Sequence, residues 1–279
     1  MQISVVNGEL SEFFAVRDRA VQYGDGVFET LPIIDGQPQH WDRHLARLKL
    51  GCQRLNFPPP AAEQLFDDLL KLPLDNERAV LKIIVSRGAG GRGYRPAAIS
   101  QPTRILTLWP WPQYPSHYFE EGITLRVCDT PLGSNPRLAG IKHLNRLEQV
   151  MARGEWDDGE IAEGLMLDQR GNIIEGTMSN VFLLQDGVLH TPLLNEAGVA
   201  GIMRQIVIEQ CEAIGSPVVE REITLDELGR TVNHSHQQSD WTVACVKELR
   251  VMTTTRTLST PQATPMLRTQ LGSALPSHA

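Results

Sequence analysis

Three turn signals of one kind constrain this chain first. Asn7-Gly8, Asp35-Gly36 and Asp186-Gly187 each follow a short apolar or alternating run. Such pairs supply the positive φ angles of a tight hairpin turn, so the runs before them predict strands that double back on their neighbours. Val27–Ile34 is one such strand. Ala79–Ser86 (AVLKIIVS) and Thr103–Trp109 are two more, the first ending at a glycine-rich loop. Between them, His40–Arg54 places Leu45, Leu48 and Cys52 at helical spacing, and a second helix runs from Ala61 to Leu72 after Pro58-Pro59-Pro60. Farther on, strands are expected at 122–128, 164–168, 181–184 and 218–223, and helices at 144–153 and 201–214. Gln169–Asn172 (QRGN) reads as a turn, and Thr224 as the cap of the turn holding Asp226 and Glu227.

The pattern is that of an α/β chain. Three prolines in Pro110–Ser116 mark a stiff connection. We therefore expect a smaller N-terminal α/β domain at 1–111, a linker at 112–117 and a larger C-terminal domain at 118–279. Composition narrows the function. A net charge of −7 argues against a nucleic-acid-binding surface, and 41% hydrophobic with 21% charged residues fits a globular chain. No apolar run reaches the twenty residues needed to span a membrane, and MQISVVNGEL lacks the pattern of a secretory signal. Cys52, Cys128, Cys211 and Cys245 are far apart, so reduced core thiols in a cytoplasmic protein are expected, with no metal site.

Lys142 stands among small and apolar neighbours in Leu138-Ala139-Gly140-Ile141-Lys142-His143-Leu144. Desolvation there makes an amine a better nucleophile and base. Glu175 follows two isoleucines and precedes Gly176-Thr177-Met178-Ser179-Asn180, whose N–H groups and hydroxyls suit an anion. Gly198-Val199-Ala200-Gly201 leads into the helix that begins near Ile202 and Met203, and a free helix N-terminus is a second anion seat. His40, His44 and His143 read as structural.

The order of these features resembles the fold-type-IV pyridoxal-phosphate enzymes, which include branched-chain aminotransferases, D-amino-acid aminotransferases and aminodeoxychorismate lyases. Matching stretches are Tyr23-Gly24-Asp25-Gly26-Val27-Phe28-Glu29-Thr30, His44-Leu45-Ala46-Arg47-Leu48 and Glu175–Phe182. Within the class, Ser86–Tyr94 (SRGAGGRGY) and Asn135–Gln149 (NPRLAGIKHLNRLEQ) are similar to the lyases. The resemblance implies two α/β domains, the larger barrel-like, with pyridoxal 5'-phosphate between them, in a homodimer. It implies that Lys142 holds the cofactor as a Schiff base and moves protons. Glu175 then faces the pyridine nitrogen, and a carboxylate there favours the protonated ring that acts as electron sink. Arg47 and the backbone of Thr177, Met178, Ile202 and Met203, with Ser179, would hold the phosphate. The implied substrate, 4-amino-4-deoxychorismate, carries two carboxylates. Arg87, Arg92 and Tyr94 are the candidate anchors for them, and Tyr23, Phe28 and Thr30 candidate pocket walls. An aminotransferase of the same fold, or a family member without activity, remains the alternative.

One stretch departs from the family. After Asp226-Glu227 the relatives carry an apolar strand and a segment resembling Asn-Ser-Leu-Ile-Gly-Leu-Trp-Pro-Val, where this chain has Gly229–Val246 (GRTVNHSHQQSDWTVACV). Permitted codons for His236–Cys245, read one nucleotide forward, encode Ile-Asn-Ser-Leu-Ile-Gly-Leu-Trp-Pro-Val. This points to a compensated frameshift rather than to a metal site at His234 and His236. Codons in the gene that forbid the shifted reading would refute it.

Overall fold

The computed structural model describes residues 3–120, 122–225, 227, 241–246 and 251–254. The chain divides into two compact units. The first comprises Met1–Gln113 with Ile141–Arg146, and the second comprises Tyr114–Gly140 with the chain from Leu147 onward.

The first unit contains β1 (Ile3–Val6), β2 (Glu9–Leu10), α1 (Arg19–Tyr23), β3 (Gly26–Ile34), β4 (Gln37–Pro38), α2 (Trp41–Arg54), α3 (Ala62–Leu69), β5 (Arg78–Ser86) and β6 (Thr103–Pro110). The strands form one sheet in the order β2-β1-β6-β5-β3-β4, antiparallel throughout. Its two tight turns use the expected residues. Asn7 and Gly8 have φ of 50° and 90°, and Asp35 and Gly36 have 49° and 73°. Strand alternation then sorts the side chains. Val27, Leu31, Ile33, Leu81, Ile83, Val85 and Leu106 are buried with Leu48 and Cys52 of α2 and Leu65 and Leu69 of α3. Glu29 shares this covered face, while Phe28, Thr30 and Lys82 lie on the other, half-buried.

The lysine segment belongs to this sheet, not to the expected 118–279 domain. β4 covers only the far end of β3, pairing Ile33 with Pro38 and Ile34 with Gln37. The open edge at the start of β3 is taken by residues 142–144. Phe28 N–H donates to the Lys142 carbonyl at 2.9 Å, Leu144 N–H donates to the Gly26 carbonyl at 3.0 Å, and Val27 pairs with His143.

The second unit contains α4 (His117–Glu120), β7 (Thr124–Val127), α5 (Leu147–Arg153), β8 (Ile161–Leu167), β9 (Ile173–Gly176), β10 (Asn180–Gln185), β11 (Val188–Pro192), α6 (Ile202–Ala213), β12 (Val219–Arg221), β13 (Trp241–Val246) and β14 (Val251–Thr254). Its sheets run β12-β11-β10-β13-β14 and β7-β8-β9. Helix α6 buries Ile202, Met203, Ile206, Val207 and Cys211 against Phe182, Leu184 and Leu189. The turn at 169–172 is tied by Asp168, whose carboxylate accepts from the backbone N–H groups of Arg170 and Asn172, each at 2.8 Å. Thr224 and Glu227 cap each other: Glu227 N–H donates to the Thr224 hydroxyl at 3.3 Å, and Thr224 N–H to the Glu227 carboxylate at 3.1 Å. Of the divergent stretch, 229–240, with His234 and His236, lies outside the described residues. Its end, Trp241–Val246, is a strand paired along its whole length with β10. Cys52, Cys128 and Cys211 are buried free thiols. Among the described residues no helix is long and apolar enough to cross a membrane.

Gly26 sits where β3, β5 and the lysine segment meet. A Cβ there would stand 2.5 Å from the Val85 carbonyl oxygen, 2.8 Å from Ser86 Cα and 2.9 Å from Leu144 Cδ1. We expect Gly26→Ala to destabilise the protein by about 1–3 kcal/mol, as overpacking does. Urea unfolding measures this, and an unchanged midpoint would contradict the packing described.

Candidate active site

Pairing on β3 fixes which way Lys142 points. Opposite residues of an antiparallel pair share a face, so His143 goes with Val27 toward the covered side and Lys142 goes with Phe28 toward the other. The Lys142 ammonium lies 4.8 Å from the centre of the Phe28 ring. A second lysine, Lys82 of β5, lies 5.5 Å from the same ring and opposite Thr30 in the ladder. Burial lowers the pKa of Lys82, and the charge of Lys142 lowers it further. The sequence reading missed Lys82. The signal was there: a single lysine in AVLKIIVS, at a position alternation assigns to the face of Phe28 and Thr30.

The loop after β5 divides the anchor candidates. Arg87 is buried, and its donors are committed: Nε and Nη2 to the Asp25 carboxylate at 2.7 and 3.1 Å, Nη1 to the Asn56 carbonyl at 2.8 Å, and Nη2 also to the Leu55 carbonyl at 2.7 Å. Its plane also lies over Phe57, 5.0 Å from the ring centre. Arg87 therefore braces the loop and is not available as a carboxylate anchor. Arg92 is exposed and makes no hydrogen bond among the described residues. Tyr94 is exposed, its ring 5.4 Å from that of Tyr23. Asp25, between Arg87 and Arg19, is a brace the sequence reading left unremarked. Burial raises its pKa, but hydrogen bonds and charge from Arg87 and Arg19 outweigh this and hold it below the usual carboxylate range.

Arg47 lies on the covered face. Its Nε and Nη2 donate to the two oxygens of Glu29 at 2.9 and 2.5 Å, and Nδ1 of His44 meets the same carboxylate at 2.7 Å. All three side chains are buried.

In the second unit, Glu175 is a buried acid on β9. One oxygen accepts from Val199 N–H at 2.8 Å and the other from Gln149 Nε2 at 3.4 Å. The strand bridge between Gly140 and Val199 ties this loop to the residue two before Lys142 in the chain. The Thr177–Ser179 stretch is an anion seat, but its anion is internal. Glu163, buried on β8, accepts from Thr177 N–H at 3.1 Å, Ser179 Oγ at 2.9 Å and Gly164 N–H at 3.0 Å, and also from the Thr177 hydroxyl. Met178 N–H lies 3.4 Å from the same carboxylate. A phosphate at these groups would compete with a carboxylate already satisfied there, which removes the physical case for Thr177, Met178 and Ser179 as phosphate ligands. Glu163, a lone acid in an apolar strand, was the overlooked signal. The other seat differs. Helix α6 has Gly201 as N-cap, no side-chain cap and no acid in its first turn. A Cβ at Gly201 would meet Asn180 Oδ1 at 2.0 Å. The donors of Ile202 and Met203 at this positive helix end fit a phosphate.

Fold and donor set together define a family. Residues 26–242 match the model of the amino-transferase class IV family, and the chain belongs to it. Its fold is the mixed α/β fold type IV. Among its relatives is the aminodeoxychorismate lyase of Vibrio harveyi, 39% identical over 223 residues, with 80% of this chain and 82% of that protein covered. The crystal structure of 4-amino-4-deoxychorismate lyase from Pseudomonas aeruginosa matches with a TM-score of 0.87 and 40% identity, covering 98% of this chain and 99% of that one. A putative branched-chain-amino-acid aminotransferase of Methanocaldococcus jannaschii is 33% identical over 218 residues, covering 77% and 75%.

His143, next to the lysine, is pushed down to about 4, first by burial and then by the charge of Arg146. Its Nδ1 is buried without a hydrogen-bond partner among the described residues. The unfolded ring binds a proton near the ordinary value of 6.5, the folded ring only near 4. The contribution of this group to stability is thus complete above the ordinary value and is lost as pH falls through the window below it. In an NMR titration of the histidine rings we expect His143 to have its midpoint near 4; a midpoint at the ordinary value would contradict its burial.

Proposed function

We propose that this protein is an aminodeoxychorismate lyase, converting 4-amino-4-deoxychorismate to 4-aminobenzoate and pyruvate in folate biosynthesis. The observation that carries the reading is the face of β3 and β5 on which Lys142 and Lys82 share the Phe28 ring. A base and a second cation on one surface suit a substrate that loses a proton and carries two carboxylates. The 39% identity to a lyase supports the choice of substrate.

Bound pyridoxal 5'-phosphate supplies the electron sink. Lys142 would bond to it, and its free amine would be the base for the proton on the ring carbon bearing nitrogen. The same proton equivalent ends in the methyl group of pyruvate, so the atoms of substrate and products balance and the ring becomes aromatic. Glu175 would pair with the protonated pyridine nitrogen. The N–H groups of Ile202 and Met203 would hold the phosphate, and Arg47 would be a further candidate for it. Lys82, Arg92 and Tyr94 receive the substrate carboxylates, and Tyr23, Phe28 and Thr30 form the wall beside them. We further propose a cytoplasmic homodimer. Leu147, Val150 and Met151 make an apolar stripe on α5, 75%, 64% and 62% exposed, which a second copy would cover.

The test is to mix cofactor-loaded protein with 4-amino-4-deoxychorismate and measure both products. Pyruvate and 4-aminobenzoate are expected in equal amounts. Amino transfer to a keto acid without either product would instead support an aminotransferase. Lys142→Ala is expected to lower the rate by more than about 10³-fold and to abolish the visible absorbance of the bound cofactor.

A further inference from the structure

Arg19 was not among the site candidates, yet it is buried and holds the loop that carries Arg92. Its Nε donates to Asp25 at 2.7 Å. Its two terminal nitrogens donate to consecutive carbonyls, Nη1 to Gly93 at 3.1 Å and Nη2 to Tyr94 at 3.0 Å. Its guanidinium also lies over the Tyr23 ring, 4.7 Å from the centre, and the Tyr23 hydroxyl accepts from Gly93 N–H at 3.1 Å. Both backbone polar groups of Gly93 are therefore tied. Gly93 has φ of 92°, where a side chain is strained. The other end of the loop is tied as well: Arg19 N–H donates to the Gly88 carbonyl at 3.0 Å, and Gly90 N–H to the Arg17 carbonyl at 3.1 Å. Between Gly90 and Gly93 only Gly91 and Arg92 are left without such ties among the described residues, and both are exposed.

The geometry points to Arg19 as a positioning residue that fixes the backbone on either side of Arg92 and so sets where the Arg92 guanidinium meets a substrate carboxylate. This rests on the lyase reading and on Arg92 as an anchor. A planar guanidinium is required because three acceptors in different directions are served at once, on Asp25, Gly93 and Tyr94. A lysine ammonium keeps the charge opposite Asp25 but has no rigid fork to span the two carbonyls. Holding the loop beforehand lowers the ordering cost of binding substrate, so the effect falls on substrate affinity rather than on chemistry at Lys142.

Arg19→Lys in the cofactor-loaded protein tests this with readouts that do not all depend on activity. Of the two bonds trypsin can cut in the loop, after Arg87 and after Arg92, only the second follows an exposed arginine, and Arg95 precedes Pro96. We expect faster cleavage at Arg92–Gly93, read by fragment mass, and unchanged visible absorbance of the cofactor. We expect KM for 4-amino-4-deoxychorismate to rise on the order of tenfold while kcat changes less than about threefold. Tyr23→Phe, which deletes only the oxygen that accepts from Gly93 N–H, is expected to shift cleavage and KM the same way by less, and it serves if Arg19→Lys does not fold. Unchanged cleavage overturns the tether. Faster cleavage with unchanged KM, or a loss confined to kcat, overturns the positioning role. A parent protein that tethers its loop but releases no pyruvate overturns the lyase reading instead, and the inference with it.

Discussion

Everything proposed for Lys142 depends on the register of three residues against the edge of β3. The pairing of Val27 with His143 sends His143 to the covered face and Lys142 to the face of Phe28. A slip of one residue would exchange them. Two backbone hydrogen bonds are worth only about 1 kcal/mol each. The larger discrimination is against turning an ammonium to the covered face beside Val27, where the Nδ1 of a neutral imidazole is buried instead. The depressed pKa of His143 is thus the counterpart of an accessible Lys142. The segment lies far along the chain from β3, yet it fills the stretch of edge that the short β4 leaves open.

The two anion seats of the second unit show how local chemistry and context separate. Both have the composition of a phosphate site, small residues with N–H groups turned one way. One is filled by Glu163 from the neighbouring strand, and five donors converge on that carboxylate. It braces the turn between β9 and β10, and so the position of Glu175. The other, at the start of α6, has neither a side-chain cap nor an acid. A long-range partner decides between seats that look alike in sequence.

The same distinction marks what the sequence made legible. Hairpins, the long helices and the strand Ala79–Ser86 follow from local rules, from turn residues and from period. Strands β9 and β11 escaped notice because Ile173–Gly176 and Val188–Pro192 are short and lie close to the turns that hid them. Lys142 and Glu175 were found through the order of motifs rather than through their own surroundings. Arg87 and Arg92 look equivalent in SRGAGGRGY; only the fold brings Asp25, Leu55 and Asn56 to the first and leaves the second exposed. Arg19 and Glu163 were missed for the converse reason: the partners that give them their roles, Gly93 and Tyr94 for the one and Thr177 and Ser179 for the other, lie many residues away.

The back of β3 bears on Arg47. Glu29, Arg47 and His44 are buried together beneath the sheet, beside a core made mostly of leucine, valine and isoleucine. Taking such charges out of water costs several kcal/mol per ion, and well-packed apolar residues of similar volume often fill the space at least as stably. A buried ion cluster is therefore weak evidence of a stabilising role. It makes sense when one of its charges is needed by something else. Glu29 holds the Arg47 guanidinium by two of its nitrogens, in one orientation, on the strand whose other face carries Phe28 and Lys142. A fixed guanidinium is suited to a phosphate, which accepts hydrogen bonds from a planar fork. Orienting Arg47, a residue of α2, for the proposed cofactor would account for the cost of burying Glu29 beneath β3.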